Sequence, residues 1–234
     1  MTKSLLKSTA VVGTMTLLSR ILGMVRDIVF AHYLGANGIT DTFFVAMRIP
    51  NLTRRLFAEG AFAQAFVPVL SEYQTTKSHN EVRDLVSYVT GTLGTILFAL
   101  TLIGTIGAPL LIMLFGFDAE KAELSTLLLR ITFPYAMFIS LVSCAGGILN
   151  AYGRFAAPAF TPVLLNICLI SATIWLAPHF EYPVVGVASG VFIAGVVQLS
   201  FQLPFLSQLK LLCLPRWGWG YSGVKRIVQL MGPA

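Results

Sequence analysis

Charged side chains are scarce in this sequence. Asp, Glu, Lys and Arg make up 11% of its 234 residues, against 56% hydrophobic ones. Soluble domains carry about 25% charged residues. A chain this apolar, with a mean hydropathy of +0.80, cannot cover a water-facing surface and would aggregate through its exposed apolar patches. Cysteine is also sparse. Cys144, Cys168 and Cys213 show no CxxC or Cys/His spacing, which excludes the usual metal and redox motifs and leaves them as small apolar side chains. His32, His79 and His179 are scattered and read as surface residues at loop edges. No Walker A, HExxH, GxSxG or GxGxxG pattern occurs, so nothing supports ATP hydrolysis or a bound cofactor. No aromatic-interleaved basic patch of the kind that binds RNA or DNA is evident, so the positive charge points to cytoplasmic loops and an anionic ligand rather than nucleic acid. There is no low-complexity tract, short repeat or soluble domain.

What the sequence has is long stretches free of charge. Residues 85–117, 131–153, 155–180 and 182–209 contain no Asp, Glu, Lys or Arg; counted inclusively they run 33, 23, 26 and 28 residues. A membrane-crossing helix needs about 20 apolar residues. The expected fold is therefore all-α, a polytopic transmembrane bundle of about six complete helices and the start of a seventh. Span one covers about 8–33 and ends before Gly35-Ala36-Asn37-Gly38; Lys3 and Lys7 precede it, but no small-residue cleavage site follows, so it is retained. Span two covers about 40–70, kinked at Pro50 and Pro68. A polar loop is expected from Ser71 to Asp84. Span three covers about 86–115, with a short acidic loop from Gly116 to Glu123. Span four covers about 126–150. Span five begins at Pro158 and Pro162 and ends near Pro178. Span six covers about 184–207. Gly186, Gly190 and Ala194 form a small-residue stripe on it, read as close helix packing.

Net charge is +6, and its distribution orients the chain. With the N-terminus inside, the inner segments hold Lys3, Lys7, Lys77, Arg83, Arg154, Lys210, Arg216, Lys225 and Arg226, and the outer loops hold only Lys121. This is the positive-inside pattern. Trp217, Trp219 and Tyr221 beside Arg216 suit an interfacial aromatic belt. The expected organisation is a transmembrane lobe over 1–215, then a basic aromatic interfacial segment and the start of a further helix over 216–234. Because the sequence stops as that helix begins, the natural protein is expected to be longer.

The informative charges are those inside spans. Arg130 lies near an outer end, where its stem reaches headgroups. Arg20, Arg26, Arg48, Arg54 and Arg55 all fall in spans one and two, together with Asp27, Asp41 and Glu59. An arginine facing lipid at a helix centre costs about 2.5–3.5 kcal/mol on insertion scales, so these face a protein interior or a wet cavity. Spacing allows pairing of Arg20 with Asp27, Arg48 with Asp41 and Arg55 with Glu59. Three acids against five arginines still leave a local charge of +2. Guanidinium rather than ammonium suits bidentate recognition of phosphate, so an anionic ligand is expected.

Several stretches then resemble one family. Ser19-Arg20-Ile21-Leu22-Gly23-Met24-Val25-Arg26-Asp27 resembles the "SR-x-LG-xx-RD" opening of MurJ/MviN lipid II flippases. Asp41-Thr42-Phe43-Phe44-Val45-Ala46 resembles their "TDAFFVA". Pro50-Asn51-Leu52-Thr53-Arg54-Arg55-Leu56-Phe57-Ala58-Glu59-Gly60-Ala61-Phe62 resembles "PNLLRRxFAEGAF", and Gln229 to Pro233 continues the match. The resemblance covers essentially the whole chain.

It implies the N-terminal lobe of a two-lobed, fourteen-helix exporter in the bacterial inner membrane, N-terminus cytoplasmic. Such a protein is a transporter, uses no ATP and carries no cofactor or metal. It moves lipid II, the undecaprenyl-diphosphate-linked peptidoglycan precursor, to the periplasmic leaflet through a cationic cavity. Implied partners are lipid II, membrane lipids, the C-terminal lobe that this sequence does not include, and cell-wall synthesis proteins. Implied substrate-binding residues are Arg20, Arg26, Asp41 and Arg54, with Ser19 and Glu59 nearby and Arg48 and Arg55 in the same charge cluster. Arg20, Arg26 and Arg54 would clamp the diphosphate, Asp41 would hold an outer gate, and Pro50 and Gly23 would bend. Rival readings are an exporter of another lipid-linked oligosaccharide or of drugs, a membrane enzyme acting on lipid-linked sugars, and a non-transporting scaffold of cell-wall synthesis.

Overall fold

The computed structural model describes residues 3–35, 38–48, 51–52, 61–114 and 122–231. Among them there is no strand. The helices are α1 (Lys3–Leu34), α2 (Gly38–Ala46), α3 (Ala61–Thr76), α4 (His79–Ile106), α5 (Ala108–Leu114), α6 (Ala122–Ala151), α7 (Ala156–Ser171), α8 (Pro183–Gln208) and α9 (Ser222–Met231). Among the described residues four stretches are long and apolar enough to cross a membrane: α4, α6, α8, and α7 with its continuation to His179. Each overlaps one of the four charge-free runs. α1 has the length of a span but carries Arg20, Arg26 and Asp27 along it. The second expected span falls on α2 and α3, with residues 49–50 and 53–60 outside the described part.

Two expectations about boundaries are corrected. The polar loop from Ser71 to Asp84 is largely helical: α3 runs to Thr76 and α4 begins at His79. The polar residues there cap rather than break. Ser78 Oγ accepts from the Glu81 amide, and the Glu81 carboxylate accepts from the Ser78 amide at 3.0 Å, a reciprocal capping box. The third span divides at Gly107. Pro109 has no N–H to continue the ladder, so α4 closes with Gly107 N–H donating to the Ile103 carbonyl at 2.7 Å, and α5 restarts. Gly23 lies inside the continuous helix α1.

The ends of α6 and α8 use the same device. Arg154 N–H reaches the Leu149 carbonyl and Gly153 N–H the Asn150 carbonyl, with Gly153 at φ 70°. Leu211 N–H reaches Leu206 and Lys210 N–H reaches Ser207, with Lys210 at φ 57°. Both are left-handed closures that satisfy the last carbonyls. At α8 the buried pair Leu206 and Leu211 supplies the accompanying apolar contact.

α6 is the axis of the bundle. It packs most extensively on α8 and also meets α2, α3, α4, α5 and α7. The small-residue stripe on α8 permits its close approach to the end of α7: a Cβ on Gly190 would run into Ala172, and one on Gly186 would lie 2.6 Å from Ala177 Cα. α1 packs chiefly along α7. Beyond α8 the chain forms an extended strap over α4. Arg216 N–H donates to the Ser87 carbonyl (3.0 Å), Ser87 Oγ to the Leu214 carbonyl (2.6 Å), and Gly218 N–H to Thr92 Oγ1 (3.1 Å). Tyr221 stacks on Tyr88 at 4.6 Å. Burial, then the neighbouring Tyr73, pushes its hydroxyl up to about 12, so it stays protonated. Trp217 and Trp219 stack on each other and remain exposed. α9 then packs on α3 and α4, burying Val224 and Ile227.

Candidate functional site

A cavity of about 720 Å³ opens between α1, α2, α3, α6, α7 and α8. Its walls are mostly apolar, with Phe30, Phe43, Val67, Tyr135 and Leu165 among them. Among the described residues its charge comes from Arg26 and Asp27 on α1. The volume is in the range of small-molecule sites, about 300–1,000 Å³.

Arg26 is held from two sides. Its Nε and Nη2 donate to Asp27 Oδ1 at 3.0 and 2.7 Å, and its Nη1 donates to Asn166 Oδ1 on α7 at 3.0 Å. The guanidinium carbon also lies 5.9 Å from the centre of the Phe30 ring. Guanidinium has five N–H groups. Three are used here, leaving one on each terminal nitrogen for a ligand among the described residues. Asn166, 5% exposed, is fixed in turn: its Nδ2 donates to the Ser19 carbonyl at 3.0 Å and lies 3.4 Å from Ser19 Oγ. That chain of bonds fastens α1 to α7 at the cavity wall.

The structure thus brings together part of the expected set. Arg26 lines the cavity, and Ser19 braces the asparagine that holds it. Asp27 pairs with its sequence neighbour Arg26, not with Arg20 two turns away, because the long arginine stem curls back to the adjacent carboxylate. Arg20 is exposed on α1, and neither it, Arg48 nor Asp41 lines the cavity. Asp41 sits in the first turn of α2, where a carboxylate suits the helix N-terminus. Arg54, Arg55, Glu59 and the Pro50 kink fall outside the described residues.

Other cavity residues escaped the reading by charge. Asn51, Asn150, Thr161, Gln198 and Gln202 line the space, and Asn166 positions Arg26. Their signal was present as uncharged amides inside otherwise apolar spans, with Gln198 and Gln202 spaced i,i+4 on one helical face. Among the described residues no cluster of His, Cys, Asp or Glu suits a metal ion.

Comparison with known proteins assigns this architecture. The family model described as lipid II flippase MurJ matches residues 30–234. A probable lipid II flippase MurJ from Vibrio cholerae is 50% identical over 99% of the chain. The chain belongs to the MurJ lipid II flippase family.

The lipid II flippase MurJ of Burkholderia cenocepacia is 40% identical, again over 99% of the chain. The chain covers 46% of each of these two relatives, so it spans about half the length of the MurJ proteins it matches. A solved lipid II flippase MurJ in an inward closed conformation superposes with a TM-score of 0.74 at 30% identity, over 95% of the chain and 46% of that structure. A MOP superfamily transporter from Pyrococcus furiosus gives a TM-score of 0.72 at 13% identity, over 97% of the chain and 51% of that structure; at that identity it shows the shared fold alone. The chain is therefore a multi-pass membrane protein of a MurJ-type transporter fold, and its family is one of flippases rather than enzymes.

Proposed function

We propose that this chain forms the N-terminal lobe of a flippase that carries lipid II from the cytoplasmic to the periplasmic leaflet of the inner membrane. The observation that carries the reading is Arg26 in a cavity among membrane-length helices, with two N–H groups unpartnered among the described residues. Mostly apolar walls lower the local dielectric and so strengthen the attraction between guanidinium and a diphosphate. The polyprenyl tail would stay in lipid while the headgroup enters the cavity.

The distribution of lysine and arginine supports a cytoplasmic N-terminus. Residues 1–215 would then form the lobe, and 216–234 the basic interfacial segment entering the next helix. Alternating access needs a second lobe rocking against this one around the site, so transport is a property of the longer protein. Arg20, Arg48, Arg54, Arg55, Asp41 and Glu59 remain proposed contributors to substrate binding or gating once both lobes enclose the site.

The test is rescue of cells depleted of their own flippase by the full-length protein. Arg26→Ala should abolish rescue while the protein still reaches the membrane. Full rescue by that variant counts against diphosphate binding here, and rescue independent of every cavity charge would favour a scaffold.

A further inference from the structure

The part of the cavity wall built by α7 and α8 carries no charge, yet it is not inert. Gln198 and Gln202 lie on one face of α8, each 1% exposed, and both line the cavity with Thr161 of α7. Thr161 sits between two prolines. Pro162 lacks an N–H, so the Pro158 carbonyl loses its helical partner, and the Thr161 hydroxyl donates to it instead at 2.6 Å. Gln198 Nε2 donates to the Thr161 carbonyl at 2.9 Å, and Gln202 Nε2 approaches Thr161 Oγ1 at 3.2 Å.

These bonds fix which way each amide faces. Turning Gln198 over would set its oxygen against the Thr161 carbonyl. Turning Gln202 over would set its oxygen against a hydroxyl whose one proton is already given to Pro158. Both Oε1 atoms are thereby left as acceptors, and both are buried without a hydrogen-bond partner among the described residues. Buried polar atoms without partners are uncommon in folded proteins, and each calls for a reason. Two of them one helical turn apart, in residues lining one cavity, point to a ligand that brings donors.

The chemistry narrows that ligand. Neutral carbonyl oxygens repel a phosphate, and with no carboxylate beside them among the described residues they hold a cation weakly. They suit uncharged donors: sugar hydroxyls and the N–H of an acylated amino sugar. The same cavity offers guanidinium N–H groups to an anion at Arg26. One molecule that uses both chemistries is a diphosphate attached to a neutral saccharide.

We infer that Gln198 and Gln202 form a saccharide-recognition subsite, their side-chain oxygens accepting hydroxyl or amide protons from the sugar of a lipid-linked sugar diphosphate. This rests on the reading that the cavity takes a polyprenyl-diphosphate headgroup, and adds which residues distinguish a glycosylated from a bare one. Thr161 and the two prolines are positioning residues, turning both oxygens away from α7.

The test compares two probes on the full-length protein: undecaprenyl diphosphate, and the same diphosphate bearing an N-acetylated disaccharide. Binding is read by native mass spectrometry. The wild type should prefer the glycosylated probe. Gln198→Met and Gln202→Met, close in size, should each lower affinity for it about fivefold, the usual worth of one neutral hydrogen bond, with the bare diphosphate unaffected. Equal loss for both probes would make the pair a brace for the broken helix and overturn the subsite, as would no loss for either. A third probe needs no variant. The disaccharide with its hydroxyl and amide protons replaced by methyl groups should bind wild type no better than bare diphosphate; binding as tight as the unmodified sugar overturns the subsite even if the Met variants fail to fold. Should wild type bind neither diphosphate, the cavity reading itself fails, a result distinct from lost discrimination.

Discussion

Arg26 and Asn166 stand 140 positions apart in sequence and share a 3.0 Å hydrogen bond across α1 and α7. The asparagine gives its other amide group to Ser19, so one neutral side chain both steers the guanidinium and joins the helices. Arg26 gives two N–H groups to Asp27 and a third to the neutral Asn166, so the asparagine adds a steering bond without adding a second negative charge.

Substituting Asn166 separates these two roles. Asn166→Leu removes both bonds and leaves a partly buried guanidinium short of an acceptor, a loss of about 1.5–3 kcal/mol for a bond to a charged group. Its full-length protein should melt earlier in detergent. Asn166→Asp keeps the acceptor for Arg26, loses the donor to the Ser19 carbonyl and adds a negative charge beside the guanidinium. That variant should remain folded and bind lipid II at least about tenfold more weakly, since one nearby charge is easily worth that factor at close range. Undiminished binding by Asn166→Asp would show that Arg26 does not meet the anion.

The strap over α4 depends on a missing side chain. A Cβ on Gly91 would run into the backbone of Arg216, so Gly91→Ala should lift the strap and break the Arg216 to Ser87 bond. Cys213, partly buried in that strap, reports it directly. Its labelling by a maleimide should speed up in Gly91→Ala, while Gly94→Ala, where a Cβ meets nothing within 4 Å, should leave the rate unchanged. Equal rates in both variants would remove the strap from the account.

Arg226 and Glu72 pin α9 to α3 through a 2.7 Å ion pair. The hydrogen bond from Arg226 holds the Glu72 carboxyl below its ordinary 4.5. A carboxylate with a depressed value stabilises the fold at pH above its unfolded value and loses that effect as pH falls through its folded one. Both groups are about half exposed, so the effect is small. The melting temperature of wild type should exceed that of Glu72→Gln near neutral pH, and the gap should close on acidification below about pH 4.5. A gap that persists at low pH would show that the pair contributes through packing rather than charge.

Most of the helical frame was legible in the sequence, because lipid forbids charge over about 20 residues and the four charge-free runs mark where that rule applies. What misled was polarity at helix ends. Ser78 and Glu81 were read as loop, although Ser-x-x-Glu before an apolar run is a capping signal. The break at Gly107 was written in Gly107-Ala108-Pro109, hidden by the apolar residues on both sides. The site was legible only in part. A search restricted to ionisable residues finds Arg26 and passes over Asn166, Gln198 and Gln202, whose amides carry no charge. Nor does spacing along one helix reveal that Arg26 bonds to α7, since that contact exists only after the two helices pack.

The most direct test of the central claim, that Arg26 draws the headgroup into this cavity, is substrate protection of a thiol placed at Ser143, which lines the same space on α6. In full-length protein with Cys144, Cys168 and Cys213 replaced by alanine, Ser143→Cys should react with a membrane-impermeant maleimide. Added lipid II should slow that reaction, and Arg26→Ala should abolish the slowing. A thiol that never reacts, or one that lipid II shields equally well without Arg26, would contradict the account.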